Sequence, residues 1–161
     1  MDDIMDNYLN MLRDSLVKKD KLLSELQIKS EQQGELVKQA EINWDEFTKL
    51  VDEKGELVDE ILKLDEGFEL LFGHIKAGLE GNKEKYKDII LEIQSLVKSV
   101  TEKGAKLEAT EYRNKTSIET AFSNTRKEIR QSKLGQKAAV DYYNKMNKIN
   151  TIDPQMLDRN C

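Results

Sequence analysis

The sequence has few of the residues on which several protein classes depend. In 161 residues there is one cysteine, Cys161, one proline, Pro154, and one histidine, His74. A single cysteine allows no internal disulfide and no cysteine-based metal site, and a lone histidine lacks the companions that a metal site needs. Glycine-rich phosphate-binding loops are also absent. We therefore expect no disulfide framework, no metal and no other cofactor.

Long apolar runs are missing as well. The longest contain three residues, as in Ile-Ile-Leu at 89–91, whereas a membrane-spanning helix needs about twenty predominantly apolar residues. The start of the chain, residues 1–6, is acidic and lacks the basic segment that precedes the hydrophobic core of a secretory signal peptide. The expectation is a cytoplasmic protein that does not insert into a membrane.

The composition favours helices over sheets. Aromatic residues make up 6% of the chain, and the turn residues that a sandwich or barrel requires are sparse. Charged residues make up 35% and hydrophobic residues 38%, a balance typical of long helices with one apolar stripe and a wide solvated surface. We predict an all-α fold.

Apolar residues recur at steps of three and four over most of the chain, which predicts three long helices at about 3–40, 44–79 and 83–131. Asn43 is placed to cap the second helix, with Glu46 completing a capping box. The stripe of the second helix has one polar member, Lys54, and its members are Phe47, Leu50, Lys54, Leu57, Ile61, Leu64, Phe68, Leu71 and Ile75. A helix of this length spans roughly 54 Å. We predict an elongated, antiparallel, coiled-coil-like bundle in residues 1–131.

The C-terminal segment, residues 132–161, differs in character from the rest. The sequence Ser-Lys-Leu-Gly-Gln at 132–136 is typical of a helix breaker. Apolar residues then return in a short amphipathic pattern, which predicts a helix at about 136–147. Because so short a segment buries little surface by itself, we predict that residues 132–161 are mobile unless they dock on the bundle or on a partner.

Catalytic groups are not assembled in any recognisable pattern. The acidic residues of the second helix, among them Asp52, Glu56 and Asp59, are paired carboxylates that could bind a cation or exchange a proton. Without catalytic companions on a highly charged helix, they are more simply interpreted as a solvated face. We predict that the protein is not an enzyme.

The charge is distributed unevenly, and one basic segment is rich in aromatic residues. Residues 1–80 hold 10 Lys and Arg against 20 Asp and Glu, whereas residues 81–161 hold 16 against 11. The segment 126–148 combines lysines and arginines with Tyr142 and Tyr143, a mixture that binds single-stranded nucleic acid in some proteins. The overall pI of about 5.1 argues against this, so we expect no nucleic-acid partner.

Two stretches of the sequence carry a resemblance to a known family. They are the heptad run at 50–58 and the tail at 138–147, Ala-Ala-Val-Asp-Tyr-Tyr-Asn-Lys-Met-Asn, which is followed by Gln-Met-Leu-Asp at 155–158. With three long helices before it, this tail resembles that of the FlgN-type flagellar export chaperones, in the form found in clostridia-like bacteria. The resemblance extends over most of the chain, and its tail pattern is the distinctive part.

The resemblance implies a cytosolic type III secretion chaperone of flagellum assembly. Such a protein binds the terminal helix of hook-associated (hook–filament junction) proteins, prevents their premature assembly and delivers them to the flagellar export apparatus. Matching positions place client binding at the end of the third helix and in the tail. The client-binding residues implied in this way are Ile118, Phe122, Ile129, Tyr142, Tyr143 and Met146. The apolar side of the short C-terminal helix adds Leu134 and Ala139 to the candidate residues.

Two alternatives stay open at the level of sequence. In the first, the protein is a structural coiled coil that forms a homodimer through the stripe of the second helix and has no client. In the second, the basic segment binds single-stranded nucleic acid. The first predicts a tight dimer in sedimentation, and the second predicts binding that weakens steeply with salt.

Overall fold

The computed structural model describes residues 2–124 and 129–149. They form four helices: α1 from Asp2–Leu36, α2 from Trp44–Leu79, α3 from Lys87–Asn124 and α4 from Ile129–Met146. This part of the chain contains no β-strand. The prediction of an all-α helical bundle is confirmed for these residues.

The bounds of α2 follow from local chemistry at both ends. Asn43 has an extended backbone, and its side chain accepts a hydrogen bond of 3.1 Å from the backbone N–H of Glu46, which satisfies one of the free donors of the first turn. After Leu79 the chain turns through Gly81, whose φ of 85° is a left-handed conformation that favours glycine. The predicted range of 44–79 agrees with the observed helix.

α1 ends at Leu36 rather than near residue 40, and Gly34 lies inside the helix. A Cβ atom at Gly34 would lie 2.7 Å from Oδ1 of Asn114, and Nδ2 of Asn114 donates a hydrogen bond of 2.7 Å to the carbonyl oxygen of Ser30. The glycine therefore allows the side chain of Asn114, on α3, to approach the backbone of α1 closely. Its role is one of packing, and the helix continues through it.

α1 contacts both of the other long helices. The ring of Tyr8 stacks on that of His74 at 5.2 Å between centroids, so the N-terminal part of α1 lies beside the C-terminal part of α2. Towards α3, the carboxylate of Asp20 accepts hydrogen bonds from Ser99 at 2.6 Å and from Lys103 at 2.7 Å. These contacts position α1 between α2 and α3.

The stripe of α2 divides into two sets. Four members, Phe47, Lys54, Ile61 and Ile75, are fully buried, and the other five are half-buried. A stripe that faced a single partner helix would be buried more evenly. The residues buried between the four fully buried members include Val51, Val58 and Asp65, each one position beyond a half-buried leucine of the predicted stripe. The buried face of α2, which packs against both α1 and α4, is therefore rotated slightly from the predicted one.

α4 differs from its prediction. The expected break at residues 132–136 does not occur, because the helix runs without interruption from Ile129 to Met146. It therefore begins seven residues before the predicted start at 136, and the last part of the predicted third helix belongs to α4. Gly135, the expected breaker, is buried against Phe47 and Trp44 of α2. Whether α4 leaves this position in solution, as the predicted mobility requires, stays a prediction, and residues 150–161 lie outside the described residues.

Candidate helix-binding site

The structure places most of the residues implied in client binding inside the bundle. Ile118 of α3 and Ala139 and Tyr142 of α4 are 2%, 5% and 2% exposed. Phe122, Tyr143 and Met146 are half-buried against the same core. Leu134 is 61% exposed, and Ile129 begins α4 with a side chain that lies outside the described residues. Of these positions, Ala139 and Tyr142 lie in the interface of α4 with the bundle, whereas Leu134 faces solvent.

An aromatic cluster lies at one end of this interface. Trp44, Phe47 and Phe122, which we name the aromatic floor, have centroids 5.1 to 5.8 Å apart in one stacked and two edge-to-face pairs. Gly135 of α4 lies directly against Phe47 and Trp44. Such ring pairs stabilise beyond the area they bury. The sequence analysis identified Phe122 but missed Trp44 and Gly135, although the spacing of Trp44 and Phe47 places both rings on one helix face.

A buried charged layer follows about two turns along α2. Lys54 is 0% exposed, and its Nζ donates to Oε1 of Gln33 at 2.5 Å and to Oε1 of Glu111 at 2.8 Å. The same Nζ lies 4.2 Å from the centroid of the Tyr142 ring, within range of a cation–π contact. This Lys54 layer (Gln33, Lys54, Glu111 and Tyr142) takes one side chain from each helix. In the sequence, this layer was indicated by Lys54, the single polar residue in the stripe of α2.

Burial controls the electrostatics of this layer. Burial lowers the pKa of Lys54, and the neighbouring Glu111 opposes that change through its charge and its hydrogen bond. Burial also raises the pKa of Tyr142 and of Tyr143, and the negative charge of Glu111 acts in the same direction on both. Among the described residues, Oε2 of Glu111 has no hydrogen-bond partner. The hydroxyl of Tyr143 is also without a partner among these residues, and the influence of Glu111 on both tyrosines places their hydroxyls beside this buried carboxylate.

The raised pKa of Tyr142 predicts that the bundle loses stability in alkali. Above the ordinary tyrosine pKa of 10.0, the unfolded chain releases the proton that the folded chain retains, so stability falls by about 1.4 kcal/mol per pH unit. The lowered pKa of Lys54 acts oppositely, but only up to its ordinary value of 10.5. Urea unfolding at pH 9, 10.5 and 11.5 should show a steeper loss for the unaltered protein than for Tyr142→Phe. Equal slopes would contradict the burial of the hydroxyl.

The end of α4 is packed less closely than its start. A cavity of about 310 Å³ lies beneath it, between α1 and α3, and its lining includes Leu23, Val100, Leu107, Met146 and Ile149. A nearby ion pair, Lys19 with Asp65 at 2.5 Å, is also buried. The exposed pair of Lys145 with Asp59 at 3.2 Å adds little, because water screens it. The cavity leaves part of this end of α4 without packing partners, and such a gap forfeits dispersion contacts.

The described residues contain neither a membrane-spanning helix nor a metal-binding cluster. No helix there is both long enough and apolar enough to cross a membrane, and no group of three or more His, Cys, Asp or Glu side chains is arranged to hold a metal ion. Comparison with protein-family models, with curated proteins and with solved structures finds no match to this chain. The class supported by the described geometry is an all-helical bundle in which α4 packs against α2.

Proposed function

We propose that this protein is a cytoplasmic, non-enzymatic type III secretion chaperone of flagellum assembly. In this proposal it binds the terminal helix of a hook-associated protein, prevents premature assembly and delivers the client to the export apparatus. The observation that carries the proposal is that a single helix, α4, covers an aromatic and charged surface built by the other helices. A surface that accepts one amphipathic helix has the chemistry to accept another.

Client binding requires α4 to move. Ala139 and Tyr142 are buried, so a client reaches neither these residues nor the surface beneath them while α4 is in place. In the elongated antiparallel arrangement that we propose, α4 moves away from the bundle of α1, α2 and α3 when a client binds. It returns when the client leaves. The half-buried Phe122 on α3 then becomes accessible together with Trp44 and Phe47.

The Lys54 layer lowers the free-energy cost of this movement. Burying an ammonium and a carboxylate costs several kcal/mol in lost hydration, and their mutual attraction compensates only in part. Release of α4 lets water return to Lys54 and Glu111. α4 is therefore held less tightly than an apolar interface of the same area would hold it, which suits a helix that must detach.

The charged surface of the bundle supports the second part of the proposal. An unassembled client terminus exposes an apolar stripe and tends to aggregate. A chaperone that covers the stripe and carries 35% charged residues keeps the complex in solution. Ordering of both partners on binding consumes part of the interaction energy and keeps the complex reversible, as delivery requires.

The structure offers less to the two alternatives. Self-association through the stripe of α2 would use Phe47, Ile61 and Ile75, which are fully buried within one chain. Stacking of nucleic-acid bases would use Tyr142, which is buried, and the neighbouring Lys145 is paired with Asp59. Both observations weigh against these alternatives in the arrangement with α4 in place.

A titration calorimetry experiment tests the proposed function. A peptide from the C-terminal helix of a hook–filament junction protein should bind the full-length chain, and Phe122→Ala should weaken binding about tenfold or more, because the aromatic floor loses one of its three rings. Leu70→Ala is the matched control, since Leu70 is 72% exposed on the outside of α2. Absence of binding, or equal affinities for both variants, would refute the proposal.

A further inference from the structure

We infer that the seat of α4 recognises its partner by a spacing pattern, and that the partner helix takes the place of α4. The pattern is a small residue, a second small residue four positions later, an aromatic residue three positions after that, and then a hydrogen-bond donor. The inference rests on the proposed function and specifies the partner of the same site. The seat consists of Trp44, Phe47, Lys54, Glu111 and Phe122.

The first small position is defined by Gly135. A Cβ atom there would lie 3.3 Å from Cδ1 of Phe47, 3.4 Å from Cε1 of the same ring and 3.6 Å from Cε3 of Trp44. Both rings are buried, and Phe47 is held by Trp44 and Phe122. Only glycine fits at this position, or alanine after a small shift. Any longer side chain would displace the helix from the aromatic floor.

The second small position and the aromatic position follow on the same helix face. Ala139 is buried one turn after Gly135, and Tyr142 is buried less than one turn after Ala139. Residues separated by three and four positions share one side of a helix. Nζ of Lys54 lies 4.2 Å from the centroid of the Tyr142 ring. An aromatic ring at this position therefore covers the buried ammonium without adding a second charge.

The donor position follows from the unsatisfied carboxylate. Glu111 is 5% exposed, and its Oε2 has no hydrogen-bond partner in the part of the chain that the structure describes. Its charge influences both Tyr142 and Tyr143, which places it next to these two positions. The hydroxyl of Tyr143 is also without a partner among the described residues and lies beside Glu111, so a hydroxyl or another uncharged donor at this position is the group that can satisfy the oxygen.

A peptide-exchange experiment tests the pattern. The probe is a fluorescent peptide of residues 129–146, titrated against the full-length chain and against full-length Gly135→Leu. In the altered chain the tethered helix no longer fits and no longer competes at its high effective concentration. We expect the probe to bind Gly135→Leu at least tenfold more tightly than it binds the unaltered protein.

Changes in the probe test each position of the pattern on the same altered chain. Gly135→Leu or Tyr142→Ala in the peptide should weaken binding at least tenfold, and Tyr143→Phe, which removes the donor beside Glu111, should weaken it about tenfold. Val140→Ala in the peptide is the matched control, because Val140 is exposed on α4, and its affinity should stay within twofold.

Specific outcomes would overturn the inference. Equal binding of all the peptides would contradict the whole pattern, and an unchanged affinity with Tyr143→Phe would contradict the donor position. Full-length Tyr142→Ala is a second variant in which α4 should no longer stay in place. If circular dichroism showed that both altered chains were completely unfolded, α4 could not be replaced by a partner helix. A dimer of the unaltered protein that the probe dissociates would instead make a second copy of the chain the occupant.

The proposed function and the pattern fail in different ways. If the probe series behaves as expected but hook–filament junction peptides do not bind, the seat and its pattern stand and the flagellar function fails. If such a client peptide binds, and its affinity does not change when its small and aromatic positions are altered, the function stands and the pattern fails.

Discussion

Lys54→Met is expected to lower the free energy of unfolding by about 3–5 kcal/mol, because it leaves a buried charge without its partner. Lys54 is fully buried and donates to both Gln33 and Glu111. Without its ammonium, the carboxylate of Glu111 stays in the interior among uncharged groups. Urea unfolding followed by circular dichroism at pH 7 measures the loss.

The matched control removes both charges at once. Lys54→Met combined with Glu111→Leu should return the free energy of unfolding to the unaltered value or raise it by up to about 4 kcal/mol, since buried ion pairs replaced by apolar residues commonly cost nothing. The double variant should also hold α4 more tightly and bind a client helix more weakly. A single variant as stable as the unaltered protein would contradict burial of the layer.

Phe47→Ala is the second large expected effect, at about 3–5 kcal/mol of lost stability. Phe47 is fully buried, and its ring contacts Trp44 and Phe122 at 5.4 and 5.8 Å between centroids and supports Gly135 of α4. Truncation would leave a cavity where three helices meet. Trp44 is the only tryptophan of the chain, so its fluorescence reports unfolding from this position.

Leu70→Ala tests whether the effect depends on burial. The residue lies on the same helix but is largely exposed, so its loss should change the free energy of unfolding by no more than about 0.5 kcal/mol. A loss for Phe47→Ala of less than about 1 kcal/mol, or a similar loss for both variants, would show that the aromatic floor does not contribute as the structure indicates.

The roles of two glycines could not be predicted from the sequence alone. Gly34 and Gly135 are alike in sequence terms, since each lies in a mainly polar stretch and each predicts a weak point in a helix. Both lie within continuous helices, because each allows a close approach by a residue that is distant in sequence: Asn114 in one case and Phe47 in the other. Local propensity contains no information about that distant partner.

The candidate site was predictable in part for a similar reason. The apolar residues of α4 could be selected from their spacing and from a family resemblance, and the structure brings Ala139, Tyr142 and Phe122 to one interface. The residues that give the interface its specificity could not be selected. Gln33 and Glu111 lie among many similar polar residues of α1 and α3, and only packing shows which of them face Lys54.

By itself, the sequence determined the helical class and the bounds of α2, because both depend on interactions within a few residues: a period of three and four, a capping asparagine and a glycine that ends the turn. Only the tertiary structure decided that α4 covers α2, that Lys54 joins all four helices and that Gly135 is a contact rather than a break. Those outcomes depend on the free energy of contacts between residues up to about ninety positions apart. A local sequence pattern does not predict such contacts.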